Sequence, residues 1–143
     1  MDCEASVVEV LFSERSDDIR SVRFTVFVDE QRVPAELEMD EWDDASRHVL
    51  ASCGDQVVGT GRLLPDGHIG RVAVLRAYRG RGVGLLVMEK LISMGRQAGM
   101  SRFALSAQVQ AAAFYERLGF TARGPSYEEA GIPHVQMRLG PEA

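Results

Sequence analysis

Residues 75–84 read LRAYRGRGVG, and this segment constrains the fold more than any other. It follows a β-rich run, IGRVAV at 69–74. It precedes an amphipathic stretch with Val83, Val87, Leu91 and Met94 on one helical face and Glu89, Lys90, Arg96 and Gln97 on the other. A strand that turns through Gly80, Gly82 and Gly84 directly into a long helix implies an α/β domain. The glycines relax the backbone limits and let a ligand approach the main chain. A helix start presents free N–H donors and the positive end of the peptide dipoles, a geometry that suits anions and pyrophosphate above all. Arg76, Arg79 and Arg81 add cationic donors matched to phosphate. The alternative is a flexible turn whose arginines face water. The P-loop pattern GxxxxGK[ST] is absent, and Leu85 stands where GxGxxG needs its last glycine, so other phosphate motifs fit worse.

The rest of the chain supplies short elements. Val7 to Phe12 reads as a strand. Ser16 reads as an N-cap before Asp17 and Asp18, opening a helix through Ile19, Val22 and Val26 to about Glu30. HVLASC (48–53), QVVGTGRLL (56–64) and IGRVAV (69–74) are β-rich, split by Gly54-Asp55 and Pro65-Asp66-Gly67 turns, and imply an antiparallel meander. FALSA (103–107), a helix over 109–118, and strands near 120–123 and 135–139 complete the chain. The expected fold is one α/β domain over 1–143 with a mixed, mostly antiparallel central sheet flanked by helices.

The formal net charge of −5 argues against a protein built to sit on nucleic acid or an anionic membrane, both of which need a positive field. Cys3 and Cys53 belong to no CxxC pair or His/Cys cluster, so they read as separate reduced thiols and no metal site is expected. The first residues carry no basic region, and no run approaches the ~18 apolar residues of a membrane span. The expected location is therefore cytoplasmic.

A second informative stretch is Gln108 to Phe120. Ala111 and Ala112 share a helix face with Tyr115 and allow close approach of a backbone or ligand. Tyr115, with an ordinary pKa of about 10, holds a proton that it could give to a thiolate leaving group. The alternative makes Phe114 and Tyr115 plain core aromatics.

Together these segments resemble the GNAT superfamily of acyl-CoA-dependent N-acyltransferases. Arg79-x-x-Gly82-x-Gly84 is similar to its R/Q-x-x-G-x-G/A loop. Ala111-x-x-Phe114-Tyr115-Glu116-x-x-Gly119-Phe120 is similar to its A-x-x-F-Y-x-x-x-G-F stretch, about 30 residues on. TVFVDEQ (25–31), Asp40 and Asp43, His48, Ala107-Gln108 and GIPH (131–134) resemble the small bacterial ElaA-like branch. The resemblance implies a sheet splayed between strands at about 69–74 and 103–107 to admit acetyl-CoA as co-substrate. Backbone groups of Val72, Ala73 and Val74 would pair with the pantetheine, and the amide near Val74 would polarise the thioester carbonyl. Arg79, Gly80, Arg81, Gly82, Val83 and Gly84 would hold the pyrophosphate. Gln108 stands where many members have Asn and would still serve the pantetheine arm. Phe114 would lie with the cofactor, and Tyr115 would protonate the departing thiolate. Many members of that family dimerise, which leaves a homodimer open; nothing in the sequence marks an interface.

The expected reaction moves an acetyl group to a primary amine by direct attack in a ternary complex. The amine arrives as ammonium and needs a base. Candidates are Glu36, Glu38, Glu129 and His134, or a water chain; His134 titrates in the right range but could equally hold a structural hydrogen bond. The acidic run ELEMDEWDD (36–44) is either a solvated loop or an attractor of a cationic acceptor, and Trp42 within it either covers a pocket or anchors the loop. The acceptor itself is not legible. Two other readings are a non-catalytic acyl-CoA sensor and a nucleotide-binding domain using the same anion loop for ATP or NAD.

Overall fold

The computed structural model describes residues 3–141. In chain order the elements are β1 (Ala5–Val10), α1 (Phe12–Arg23) running on as a π-helical segment (Phe24–Glu30), α2 (Ala35–Glu38), β2 (Arg47–Cys53), β3 (Gln56–Leu63), β4 (Ile69–Val74), α3 (Val83–Gln97), β5 (Phe103–Gln108), α4 (Ala112–Arg117), β6 (Thr121–Glu129) and β7 (Ile132–Leu139). They form two antiparallel sheets, ordered β1-β2-β3-β4 and β5-β7-β6. Strands β4 and β5 run parallel and touch through a single bridge, His68 with Ala104. Beyond that bridge they part, which is the splay expected between 69–74 and 103–107.

Helix α3 forms where the sequence expects it and buries Val83, Val87, Met88, Leu91 and Ile92. Each such side chain contributes roughly 1.5–3 kcal/mol on burial. The helix seats closely because β3 offers two glycines beneath it. A Cβ on Gly61 would lie 2.8 Å from Leu91 Cδ1 and 2.9 Å from Val87 Cγ1, and one on Gly59 would lie 3.2 Å from Val83 Cγ1. The tight seat fixes the start of α3, and with it the glycine-arginine turn, against the sheet.

Several expectations need correction. The first strand ends at Val10, and the helix starts at Phe12 with Leu11 as its cap, so Ser16 caps nothing. Arg15 breaks the helical geometry, with φ −123°, and its side chain bonds Asp18 at 2.8 Å. The helix expected over 109–118 opens with a tight 3₁₀ turn at Val109–Ala111 before α4. Strand β6 runs on through Pro125 to Glu129, well past the 120–123 expected. It lies at the edge of its sheet, where proline costs no ladder bond, and its register slips between Arg123 and Tyr127. The cysteines are not separate thiols: Cys3 and Cys53 form a disulfide, Cα to Cα 5.6 Å. The pairing of Ala5 with Cys53 in the β1–β2 ladder brings Cys3 alongside, which a separation of 50 residues conceals. Among the described residues no helix is long and apolar enough to cross a membrane.

Candidate active site

A cleft of about 450 Å³ opens where β4 and β5 part. Of the residues expected to act, Val72, Gln108, Tyr115 and His134 line it, together with Glu38 and Glu129. Most of the others sit along the β4 edge and in the turn to the start of α3, with Phe114 on α4 and Glu36 on α2.

The β4 edge is prepared by a bulge. Arg71 adopts a left-handed conformation, φ 51°, and the β3–β4 register slips there. Non-glycine residues in that region cost of order 1–3 kcal/mol. The Arg71 guanidinium is held by the Glu38 carbonyl at 3.2 Å and Asp40 Oδ2 at 3.1 Å. Past the bulge, the Leu75 N–H donates to the Val58 carbonyl at 2.9 Å, and the Ala73 carbonyl faces Gly59. Strand alternation therefore turns the Val74 amide and carbonyl toward the open edge. The Val74 carbonyl accepts there from Arg79 Nε at 2.9 Å. An incoming extended arm thus meets Val74, while Ala73 is committed to β3.

At the turn, Gly80 and Gly82 have φ of 76° and 83°, and a Cβ on either would meet open space. Gly82 caps α3. Gly84 faces Phe114 and Val74, which ties α4 and β4 to the turn. Val83 is buried in the core, so only its backbone is available to a ligand. Arg81 lies over the Tyr78 ring at 5.7 Å. Arg76 is 79% exposed. Arg79, by contrast, spends its guanidinium on protein: Nη1 and Nη2 reach the two Glu30 oxygens at 2.6 and 2.8 Å. This pairing holds the Glu30 carboxyl below its ordinary value, the Arg79 bond being the main cause.

Inside the cleft, Tyr115 packs edge-on to Phe114 and Phe120. Burial pushes its hydroxyl pKa up to about 12. Its hydroxyl has no hydrogen-bond partner among the described residues. The two sequence-based roles are therefore compatible: the ring is packed and the hydroxyl remains available. Gln108 donates to Gln31 Oε1 at 2.8 Å. His134 is 8% exposed and stacks on Tyr127. Its Nδ1 meets the Ile132 carbonyl at 2.6 Å; a carbonyl only accepts, so Nδ1 carries the hydrogen and Nε2 of the neutral ring keeps the lone pair. Nε2 lies 3.5 Å from Glu129 Oε2.

The acidic run divides in two. Glu36, Glu41 and Asp44 are exposed, and Glu36 does not line the cleft. Glu38 and Asp43 are buried, and with Asp40 they neutralise three arginines. Arg23 bonds Glu38 through Nε and Asp43 Oδ1 at 2.7 Å. Arg62 Nη1 bonds Asp40 at 2.7 Å and Asp43 at 2.9 Å. Burial raises the Glu38 carboxyl despite Arg23. In Asp43 burial is outweighed by the Arg23 bond and by the charges of Arg23 and Arg62, and its carboxyl falls. His48 hangs from this cluster by Nε2 to the Asp43 carbonyl, 2.8 Å, and burial lowers its pKa. Trp42 is half exposed and lines no part of the cleft.

Sequence reasoning missed Glu30, Gln31 and Tyr127. Tyr127 bonds Ser106 and accepts from Gln136 at 2.9 Å, bracing the wall that carries His134. Glu30 and Gln31 fall within the TVFVDEQ stretch, but nothing local gives any of the three its role, since each acts on a residue distant in sequence.

Comparison with known proteins agrees with this geometry. A family model described as an acetyltransferase (GNAT) domain matches residues 15–140. The chain is 41% identical over 128 residues to the uncharacterized N-acetyltransferase YjcF of Bacillus subtilis, covering 87% of this chain and 91% of that one. It is 34% identical over 124 residues to protein ElaA of Escherichia coli, covering 81% of each. The crystal structure of ElaA superposes with a TM-score of 0.84 at 30% identity, over 94% of this chain and 99% of that one. The crystal structure of a "putative N-acetyltransferase" from Lactobacillus plantarum superposes with a TM-score of 0.87 at 26% identity, over 95% of this chain and 97% of that one.

Proposed function

The chain belongs to the GNAT acetyltransferase family, and on that footing we propose that it moves the acetyl group of acetyl-CoA to a primary amine of a small molecule or peptide, by direct attack in a ternary complex. One observation carries the reading. A single cleft at the splayed strands joins a tyrosine hydroxyl with no protein partner to a histidine nitrogen whose lone pair is free when the ring is neutral.

In this reading the open donors at Gly80, Gly82 and the start of α3 take the pyrophosphate, with Arg81 and Arg76 as the neighbouring cations. The Val74 edge takes the pantetheine, and the Val74 amide donates to the thioester carbonyl as charge builds on it. His134 Nε2 removes the ammonium proton and passes it toward Glu129 and water. Tyr115 gives its proton to the leaving thiolate; a hydroxyl pushed up to about 12 holds that proton throughout the neutral range. Neither cysteine lines the cleft, and their disulfide leaves no thiol for an acyl-enzyme. Glu38 is a poor base because Arg23 occupies it.

The test is steady-state thiol release from acetyl-CoA with a panel of primary amines. Amine-dependent release that is lost in Tyr115→Phe supports the reading. Tight acetyl-CoA binding with no turnover of any amine makes the chain an acyl-CoA sensor instead.

A further inference from the structure

The second sheet has two unlike faces. Its ladder aligns Phe103 with Leu139, Leu105 with Met137 and Ala107 with Val135, and these pack on the core. The alternate positions align Gln108 with His134, Ser106 with Gln136 and Ala104 with Arg138, and β6 continues those rows with Tyr127, Arg123 and Thr121. Because side chains alternate across a strand, the second set shares the other face. That face is mostly polar, with Ala104 among its polar residues. Its Gln108–His134 end forms the wall of the catalytic cleft.

Its other end enters a second pocket of about 410 Å³ that the reaction does not use. Arg102, Arg123 and Arg138 line it, with Gln136 and Thr121 between them. Its one carboxylate among the described residues is Asp66, which is taken up by His68 at 2.9 Å. Arg102 and Arg138 have no carboxylate partner among the described residues. In a chain of net charge −5, whose buried arginines are matched by acids, Arg102 and Arg138 make a local positive excess here. His68 lines both pockets, which places them side by side along this face.

We propose that this arginine-lined pocket binds an anionic group, a carboxylate or a phosphate, of the acceptor whose amine reaches His134. The inference rests on the acetyl-transfer reading and deepens it by naming the acceptor class: an amine that carries a distant negative charge. His134 and Arg138 are four residues apart on β7, which sets the two ends roughly 13 Å apart at ~3.3 Å per residue, less the reach of the side chains. Guanidinium groups pair with either anion through two parallel N–H bonds.

Two arms test this. The first needs no turnover: inorganic phosphate is titrated into the full chain while the arginine side-chain NMR signals are followed. Saturable shifts at Arg102 and Arg138, absent at Arg96, which is likewise exposed but outside the pocket, and weakened at either arginine when the other is changed to Gln, support an anion site. The second compares ω-amino acids of increasing chain length, each with its own primary amide, as acceptors. The acid is expected to exceed its amide at least 10-fold in kcat/KM at the longer lengths, through KM. That preference is expected to collapse in the double variant Arg102→Gln/Arg138→Gln and to return in part in Arg138→Lys. If no amine is turned over, the acid and amide are compared as competitors of phosphate, so failure of the acetyl-transfer reading is seen separately. Phosphate binding without acid preference assigns the pocket to a phosphorylated amine; acid preference without phosphate binding assigns it to a carboxylate. No saturable phosphate shift together with equal handling of acid and amide overturns the proposal.

Discussion

Arg79 grips Glu30 with both terminal nitrogens, at 2.6 and 2.8 Å, while its Nε holds the Val74 carbonyl at 2.9 Å. One side chain thus links the end of the π-helical segment to the open edge of β4. The next residue, Gln31, repeats the link on the far side by accepting from Gln108. Glu30 and Gln31 therefore tie both banks of the splay to one short segment.

Glu30→Gln isolates the first link. The pair is partly exposed, so its loss costs only about 0.2–1 kcal/mol of stability. Freed from Glu30, Arg79 no longer holds Val74 squarely, and the Kd for acetyl-CoA is expected to rise roughly 3-fold, about 0.7 kcal/mol. Calorimetric Kd and thermal melting are read on the same sample. A lowered Tm with unchanged Kd would make the pair purely structural.

Tyr115→Phe lowers kcat by about 10-fold or more and leaves acetyl-CoA affinity nearly intact. The variant also isolates the titration. The phenolate absorbance step present in the parent and missing in the variant is expected near pH 12. Because the folded value exceeds the ordinary one of about 10, the contribution of Tyr115 to stability is full below pH ~10 and is lost as pH rises from there through the folded value. A step that falls near pH 10 instead contradicts a desolvated hydroxyl.

His134→Gln keeps a polar side chain but cannot cycle a proton. A general base is worth roughly 100-fold or more, so kcat is expected to fall by at least that factor with acetyl-CoA binding unchanged. Glu129→Gln, which alters the neighbour of Nε2 rather than the base, is expected to lower kcat by less. Equal losses would move the base to Glu129.

Asp43→Ala removes the buried carboxylate that Arg23 and Arg62 share, leaving Arg23 with Glu38 and Arg62 with Asp40. Removing one partner of such a buried pair costs about 3–5 kcal/mol, measurable by urea unfolding. The acid dependence follows from the lowered Asp43 carboxyl. Its stabilisation is full above the unfolded value near 3.9 and drains away as pH falls through the lower folded value. Glu38, raised by burial, runs the other way and partly offsets the loss. The parent should therefore lose stability below pH ~4 more steeply than the variant does.

Gly61→Ala pushes a methyl to within 3 Å of Val87 and Leu91 and should cost about 1–3 kcal/mol. Gly84→Ala meets only Phe114 and Val74 at 3.6 and 3.9 Å, ordinary contact distances, and should fold normally. A stable Gly61→Ala would mean that α3 is not held by this close approach.

What the sequence revealed was local. The glycine-arginine turn, the apolar face of α3 and the Ala111–Phe120 helix each declare themselves within one turn or one strand, where spacing maps onto geometry. What it hid was long-range. Glu30 meets Arg79 across 49 positions and Gln31 meets Gln108 across 77, and no periodicity records such a meeting. The acidic run looked solvated because its arginine partners, Arg23 and Arg62, come from α1 and β3. The disulfide depends on a β1–β2 register that composition does not set. The length of β6 beyond Arg123 escaped because it is an exposed edge with no alternation to read.

The central claim is that the splayed strands and the glycine-arginine turn form an acetyl-CoA site. Calorimetric titration of acetyl-CoA into the full chain, with ATP and NAD as controls, tests it without knowledge of the acceptor. The account predicts one saturable site for acetyl-CoA, weakened by Arg76→Ala/Arg81→Ala, and no comparable heat from ATP or NAD. Absence of acetyl-CoA binding, or equal binding of ATP, would contradict it.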